Sequence, residues 1–115
     1  MFDLDNVVAE DVQENDLEEV VMGLIINSGQ ARSLAYAALK QAKQGDFETA
    51  KATMEQSRIA LSEAHRVQTQ LIESDEGEGN MKVSLVLVHA QDHLMTSMLA
   101  RELVAELIEL HEKVQ

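Results

Sequence analysis

The stretch MKVSLVLVHAQDHLMTSMLARELVA, residues 81–105, carries two apolar stripes when it is drawn as a helix. The first stripe, spaced mostly three and four residues apart, consists of Met81, Leu85, Val88, Met95, Leu99 and Leu103. The second, nearly opposite, consists of Leu87, Leu94, Met98 and Ala105. A helix of an isolated three-helix bundle needs only one buried face. The two stripes therefore predict that this helix packs on its own bundle with one face. The other face is expected to form a parallel coiled coil with further copies of the chain around a symmetry axis.

The composition favours an all-α fold around this helix. The chain has 115 residues, of which 45% are hydrophobic, but only three are aromatic, so its core must consist of aliphatic side chains, methionine and alanine. It contains no proline and five glycines, which is little turn chemistry for a sheet protein of this length. One domain is expected from the length.

Three helices are predicted along the chain, over residues 16–44, 47–73 and 80–114. They follow residues 1–15, which are acidic, show little periodicity and are expected to form a mobile tail. The helical domain therefore spans residues 16–115, and its short connections predict an antiparallel three-helix bundle.

Local signals set the ends of these helices. Asp16 is the expected N-cap of the first helix, with Glu19 three residues later in a capping-box arrangement. Gly45 can end this helix in the left-handed conformation, and Asp46 can cap the second helix. Only these two residues separate the helices, so the second must fold straight back on the first. The stretch SDEGEGN, residues 74–80, is the predicted loop before the third helix.

Charge and composition argue against several classes of function. The net charge of −12 disfavours nucleic-acid binding, which depends on Lys and Arg meeting phosphates. The absence of cysteine excludes disulfides and thiolate sites, and no glycine-rich nucleotide loop is present, so no organic cofactor is expected. The N-terminus lacks a signal-peptide pattern, and the apolar run VVMGLII is too short to span a bilayer. A cytoplasmic protein without membrane insertion is predicted.

Asp92 lies within the first stripe, at a heptad position that faces a partner helix. Burying an isolated ionised carboxylate there is costly. Either the stripe is exposed to solvent at this level, or symmetry-related Asp92 residues meet on the axis, where a divalent cation or protons cancel their repulsion. With Asp92 at position a, His89 and Gln91 fall at e and g, on opposite flanks. In a parallel interface, Gln91 of one subunit would therefore approach His89 of another.

His89 and His93 stand four residues apart, so both imidazoles project from one face of the helix. The spacing leaves three interpretations open. The pair can be half-exposed interface residues, or it can belong to a metal site with Asp92 or His65 as a further ligand. It can also hold a phosphoryl acceptor, because a neutral imidazole is a good nucleophile near pH 7. The metalloprotease pattern fails, since Ala90 stands where that motif needs glutamate.

Three segments resemble the enzyme IIA proteins of the lactose/cellobiose family of the bacterial phosphoenolpyruvate-dependent sugar phosphotransferase system. These are VLVHAQDHLMTSMLARELVAELIELHEK (86–113), VVMGLIINSGQARSLAYAALKQAKQGDF (20–47) and AHRVQTQLIE (64–73). The run HAQDHLM, residues 89–95, is highly specific to that family, and the resemblance covers the chain from about residue 16 to its end.

The resemblance implies a cytoplasmic homotrimer of three-helix subunits that relays a phosphoryl group. His89 matches the phosphoryl acceptor, which is charged by phospho-HPr and discharged to the cysteine of the cognate IIB; IIB then phosphorylates a β-linked disaccharide that enters through membrane-bound IIC. Asp92 matches an aspartate at the trimer axis, where a divalent cation such as Mg²⁺ binds. Gln91 and His93 match positions near the phosphoryl group.

A competing class is a helical interaction module. The stretch ALKQAKQGDFETAKATMEQSRIAL, residues 38–61, looks like one tetratricopeptide hairpin with small residues where the helices cross. Such arrays need several repeats to bury a core, and this chain carries one copy.

Overall fold

The computed structural model describes residues 14–75 and 83–115, and within them the chain forms three α-helices and no strand. We name them α1, Glu14–Lys43, α2, Phe47–Asp75, and α3, Leu85–Val114. The helix α2 runs opposite to α3. This is seen from Lys51 near the start of α2, which pairs with Glu112 near the end of α3, with 3.0 Å between Nζ and Oε2. The predicted all-α three-helix bundle is confirmed.

The turn between α1 and α2 follows the predicted chemistry. Gly45 has a φ of 84°. Its N–H donates to the carbonyl of Ala42 at 2.9 Å, and the N–H of Asp46 donates to the carbonyl of Gln41 at 3.0 Å. This pair of bonds is the Schellman arrangement, which satisfies the last carbonyls of a helix. The Asp46 carboxylate accepts the N–H of Thr49 at 3.3 Å, so Asp46 caps α2 as expected.

Two predicted helix starts were wrong. The first helix begins at Glu14, so Asp16 lies inside its first turn rather than before it; helix ends commonly differ by one or two residues. The third helix was expected from Asn80, but its N-cap is Ser84, whose backbone is extended and whose hydroxyl accepts the N–H of Leu87 at 3.1 Å. A serine hydroxyl that pairs with this N–H stabilises the helix start by about 1 kcal/mol, which explains the later start.

The second helix continues to Asp75, two residues beyond its predicted end at residue 73. Residues 1–13 of the predicted mobile tail and residues 76–80 of the predicted loop lie outside the described residues.

Among the described residues, the core contains two apolar clusters with a layer of buried serines between them. Each helix contributes one fully buried serine to this layer, namely Ser28, Ser57 and Ser97. The Ser57 hydroxyl donates to the carbonyl of Ala31 at 2.6 Å, which joins α2 to α1. On one side of the layer lies a cluster built around Leu24, Leu71 and Leu94, among others, and on the other side a cluster of alanines with Met54, Val104 and Ile108.

The small residues of α1 pack against the rest of the subunit, with one exception. Ala31, Ala35 and Ala38 are fully buried, so the neighbouring helices approach the α1 backbone closely. A Cβ on Gly29 would lie 3.6 Å from Nε2 of His93, which is ordinary contact. A Cβ on Gly23 would meet nothing within 4 Å, so close packing within the subunit does not account for that glycine.

The two faces of α3 are confirmed in the single chain. Leu87 and Leu94 of the second stripe are buried, whereas Val88, Met95, Leu99 and Leu103 of the first are more than half exposed. This exposed face continues toward the C-terminus through Leu107, Leu110 and Val114.

One residue of the second stripe was placed wrongly. Ala105 is exposed, and Val104 and Ile108 are buried in its place. Toward the C-terminus of α3 these two residues belong to the cluster formed with the alanines of α1 and α2, whereas Ala105 lines a groove between α2 and α3.

Candidate functional site

The two histidines of α3 lie together on the surface, as their spacing predicted. The ring centroids of His89 and His93 are 5.8 Å apart, and the planes meet at 73°, an edge-to-face arrangement. His89 is exposed, whereas His93 is half-buried. The outer ring is therefore accessible to a partner, and the inner ring supports it from one side.

His93 is held against the bundle by contacts with two helices. Its Nε2 edge lies beside Gly29 of α1, at a distance where even an added Cβ would make only ordinary contact with the ring. Its Nδ1 lies 3.4 Å from the hydroxyl of Ser97, one turn further along α3. Because Ser97 is fully buried, this contact ties the half-exposed imidazole to the serine layer of the core.

Gln91 points to the other side of α3. Its side-chain carbonyl accepts a hydrogen bond from the side-chain amide of Gln68 on α2. Within one subunit, Gln91 therefore faces α2 while His93 contacts α1, so the structure does not bring Gln91 to the two histidines of its own chain. This agrees with the opposite flanks that the heptad assigned to Gln91 and His89.

Gln68 was not singled out from the sequence, although a signal for it was present. It stands four residues after Ala64 and three before Leu71, in the apolar stripe of α2. It is only 8% exposed. A polar side chain at such a position needs a hydrogen-bonding partner.

Asp92 lies on the exposed face of α3 between Val88 and Met95. The carboxylate forms no ion pair with any residue that the structure describes, and the Thr96 hydroxyl donates instead to the Asp92 backbone carbonyl at 2.9 Å. Within residues 14–75 and 83–115 of one chain, no three His, Asp or Glu side chains are grouped so that they could hold a metal ion. Among these described residues, neither Asp92 nor His65 joins the histidine pair in a group of three possible metal ligands.

His65 lies apart from the pair, in a shallow groove between α2 and α3 that also includes Met98. Arg66 on this groove forms an ion pair with Glu63, with 2.7 Å between Nη2 and Oε1. The hydrogen bond from Arg66 lowers the pKa of Glu63. Because its charge is already paired, this arginine does not make the groove an anion site.

The family described as "PTS system, Lactose/Cellobiose specific IIA subunit", of the phosphotransferase system, matches residues 19–112. The chain belongs to this IIA family. The match includes both helices of the tetratricopeptide-like hairpin, and the family assignment replaces that alternative.

Relatives in this IIA family cover most or all of the chain. The N,N'-diacetylchitobiose-specific EIIA component of Escherichia coli (strain K12) is 77% identical over 115 residues, which cover 100% of this chain and 99% of that protein. The lichenan-specific phosphotransferase enzyme IIA component of Bacillus subtilis (strain 168) is 39% identical over 99 residues, covering 86% of this chain and 90% of the relative.

Solved structures of IIA proteins share the fold. The IIA(Chitobiose) chain of Escherichia coli, solved in solution in complex with HPr, gives a TM-score of 0.76 at 85% identity and covers 85% of this chain and 95% of that chain. The cellobiose-specific enzyme IIA of Bacillus anthracis gives a TM-score of 0.81 at 44% identity, covering 84% of this chain and 89% of that one. Among the described residues of this IIA chain, no helix has both the length and the apolar character needed to cross a membrane.

Proposed function

We propose that this chain is the cytoplasmic phosphocarrier of a system for a β-linked disaccharide, N,N'-diacetylchitobiose. In this proposal His89 accepts a phosphoryl group from phospho-HPr and passes it to the cysteine of the cognate IIB. The observation that carries it is an exposed imidazole, braced edge-to-face by His93, in a chain 77% identical throughout to the diacetylchitobiose component.

The chemistry requires little beyond an accessible nucleophile and correct positioning. A neutral ring nitrogen of His89 attacks phosphorus in line, and its N–P bond forms as the N–P bond to the HPr histidine breaks. The second step reverses these roles, since the IIB thiolate attacks phosphorus and the imidazole of His89 leaves. Such transfers depend mainly on positioning and on stabilisation of charge on the phosphoryl oxygens.

The donors for these oxygens are proposed to come from two subunits. His93 stands beside His89 in the same chain, and Gln91 is supplied by the neighbouring chain. The support for this division is that Gln91 and His93 face different helices within one subunit. The negative charge of the chain favours docking of partners with a positive surface. Membrane-bound IIC is reached only through IIB.

The assembly proposed is a homotrimer in which the exposed faces of three α3 helices form a parallel coiled coil. The support is the row of half-exposed apolar side chains that no element of the subunit covers in the described residues, centred on Met95 and Leu99. A contiguous apolar surface of this kind marks an interaction site.

Asp92 fits a divalent cation on the axis of such a trimer. The carboxylate is exposed, lies within the apolar row and has no cationic partner among the described residues. Carboxylate oxygens suit hard cations such as Mg²⁺, and one carboxylate from each subunit would hold the ion. Bound there, the ion would neutralise the repulsion between the three charges.

Removal of divalent cations should therefore destabilise the trimer. With Mg²⁺ at about a hundred times its Kd, binding contributes about 2.7 kcal/mol to the stability of the assembled state. We expect EDTA to lower the midpoint of thermal unfolding of the wild-type protein and to leave that of Asp92→Asn unchanged. Equal midpoints for the wild-type protein with Mg²⁺ and with EDTA would contradict the cation site.

Phosphoryl transfer itself is tested by intact-mass measurement after incubation with phosphoenolpyruvate, enzyme I and HPr. We expect each chain to gain the mass of one phosphoryl group, which acid removes because phosphohistidine is labile. Addition of the diacetylchitobiose IIB should then discharge the chain. If enzyme I and HPr are active and the mass does not change, the proposed function is wrong.

A further inference from the structure

The contact between Gln68 and Gln91 is unusual for its position in the fold. Gln68 lies on the buried side of α2, between Ala64 and Leu71, both of which belong to the apolar core. An apolar side chain there would pack without needing a partner, whereas a buried amide is costly unless it is hydrogen-bonded. Its amide donates to the side chain of Gln91, which lies in the segment that the proposed function uses.

The direction of this hydrogen bond matters for phosphoryl binding. A carboxamide has an accepting end and a donating end, whereas phosphoryl oxygens only accept. The side-chain NH₂ group of Gln68 donates to the side-chain carbonyl of Gln91, which is the accepting end. The donating NH₂ end of Gln91 makes no hydrogen bond within the part of the chain that the structure describes, and it is the end that a phosphoryl group requires.

We propose that Gln68 is a positioning residue, which fixes the Gln91 amide so that its NH₂ group is presented to the phosphoryl group on the neighbouring subunit's His89. This inference rests on the proposed function. Without Gln68 the Gln91 amide would rotate, and its carbonyl would face the phosphoryl oxygens for part of the time. An amide held in advance by the core loses less freedom when the phosphoryl group arrives, which is the advantage of preorganised donors.

The test compares two variants of Gln68 in single-turnover transfer from phospho-HPr. Gln68→Met keeps the length of the side chain and removes its polarity, so we expect a rate lower by about tenfold at saturating phospho-HPr with unchanged apparent affinity. Gln68→Glu can only accept; it would bind the NH₂ end of Gln91 and turn the carbonyl outward, with a larger loss. Gln56→Glu adds the same charge at an exposed position of α2 and should transfer at the wild-type rate.

A double-mutant cycle shows whether Gln68 acts through Gln91. We expect Gln68→Met combined with Gln91→Met to transfer no more slowly than Gln91→Met alone. In the wild-type protein, NMR should show the side-chain NH₂ signals of Gln91 shifting on phosphorylation, a readout that does not depend on how any Gln68 variant folds.

The outcomes separate this inference from the proposed function. Normal transfer in Gln68→Met, additive losses in the cycle, or no shift of the Gln91 signals in phosphorylated protein would each overturn the positioning role and leave His89 as the carrier. A wild-type chain that takes up no phosphoryl group would instead overturn the proposed function.

Discussion

Replacement of His89 with glutamine should abolish uptake of a phosphoryl group from phospho-HPr, with a loss of more than about a thousandfold in rate. Glutamine retains a polar side chain but has no nucleophilic nitrogen, so no covalent intermediate can form. Because His89 is exposed on α3, the exchange removes no core contact, and the fold should be kept. Intact-mass measurement with enzyme I, HPr and phosphoenolpyruvate checks the result, and circular dichroism checks the helices.

Two further histidine variants make this prediction specific. His93→Gln should still be phosphorylated but more slowly, by about tenfold, because it removes a supporting donor and leaves the acceptor in place. His65→Gln, in the groove between α2 and α3, should behave like the wild-type protein. If the His89→Gln variant still gains a phosphoryl group, another residue must carry it. His93 would then be the first candidate, because its ring lies beside that of His89.

The sequence predicted those parts of the fold that depend on local chemistry. Gly45 ends one helix and Asp46 begins the next through hydrogen bonds to residues only a few positions away. The residue types that favour these hydrogen bonds can be recognised in the sequence. The start of α3 was harder to predict because Asn80 and Ser84 are both favoured N-caps. Only the hydrogen bond to Leu87 identifies Ser84.

Features that depend on packing between helices were predicted less well. Ala105 continues the spacing of its stripe, but the buried face lies further around α3 at the C-terminal end, so Val104 and Ile108 are buried instead. Periodicity reports which residues share a face, not how that face rotates along a neighbouring helix.

In the candidate site too, positions along one helix were predicted and contacts between helices were not. Helix geometry alone predicts the positions around α3 of His89, Gln91 and His93, and the structure has them at these positions. The residues that support them, Gln68 on α2 and Gly29 on α1, come from other helices. Spacing within one helix carries no information about such partners, so these contacts appear only once the three helices are packed together.

The exposed face of α3 leads to the second large expected effect, dissociation of the proposed trimer by Leu99→Glu. Leu99 is 55% exposed in the single chain and lies outside both core clusters, so a glutamate there should not unfold the subunit. In a trimer, three glutamates would be buried around the axis near three Asp92 carboxylates, and each uncompensated buried charge costs several kcal/mol. Sedimentation velocity should show a trimer for the wild-type protein and a monomer for Leu99→Glu at the same concentration.

The matched control is Ala52→Glu, which adds the same charge at an exposed position of α2 and should remain a trimer. If the variant at Leu99 also sediments as a trimer, the exposed face of α3 is not the interface. A wild-type protein that sediments as a monomer would show that the proposed trimer does not form.

Dissociation has a further consequence for activity. Since Gln91 is proposed to serve the His89 of a neighbouring chain, the monomer should be phosphorylated as slowly as Gln91→Met, although its own histidines are unchanged. A monomer that transfers at the wild-type rate would show that each subunit carries a complete site.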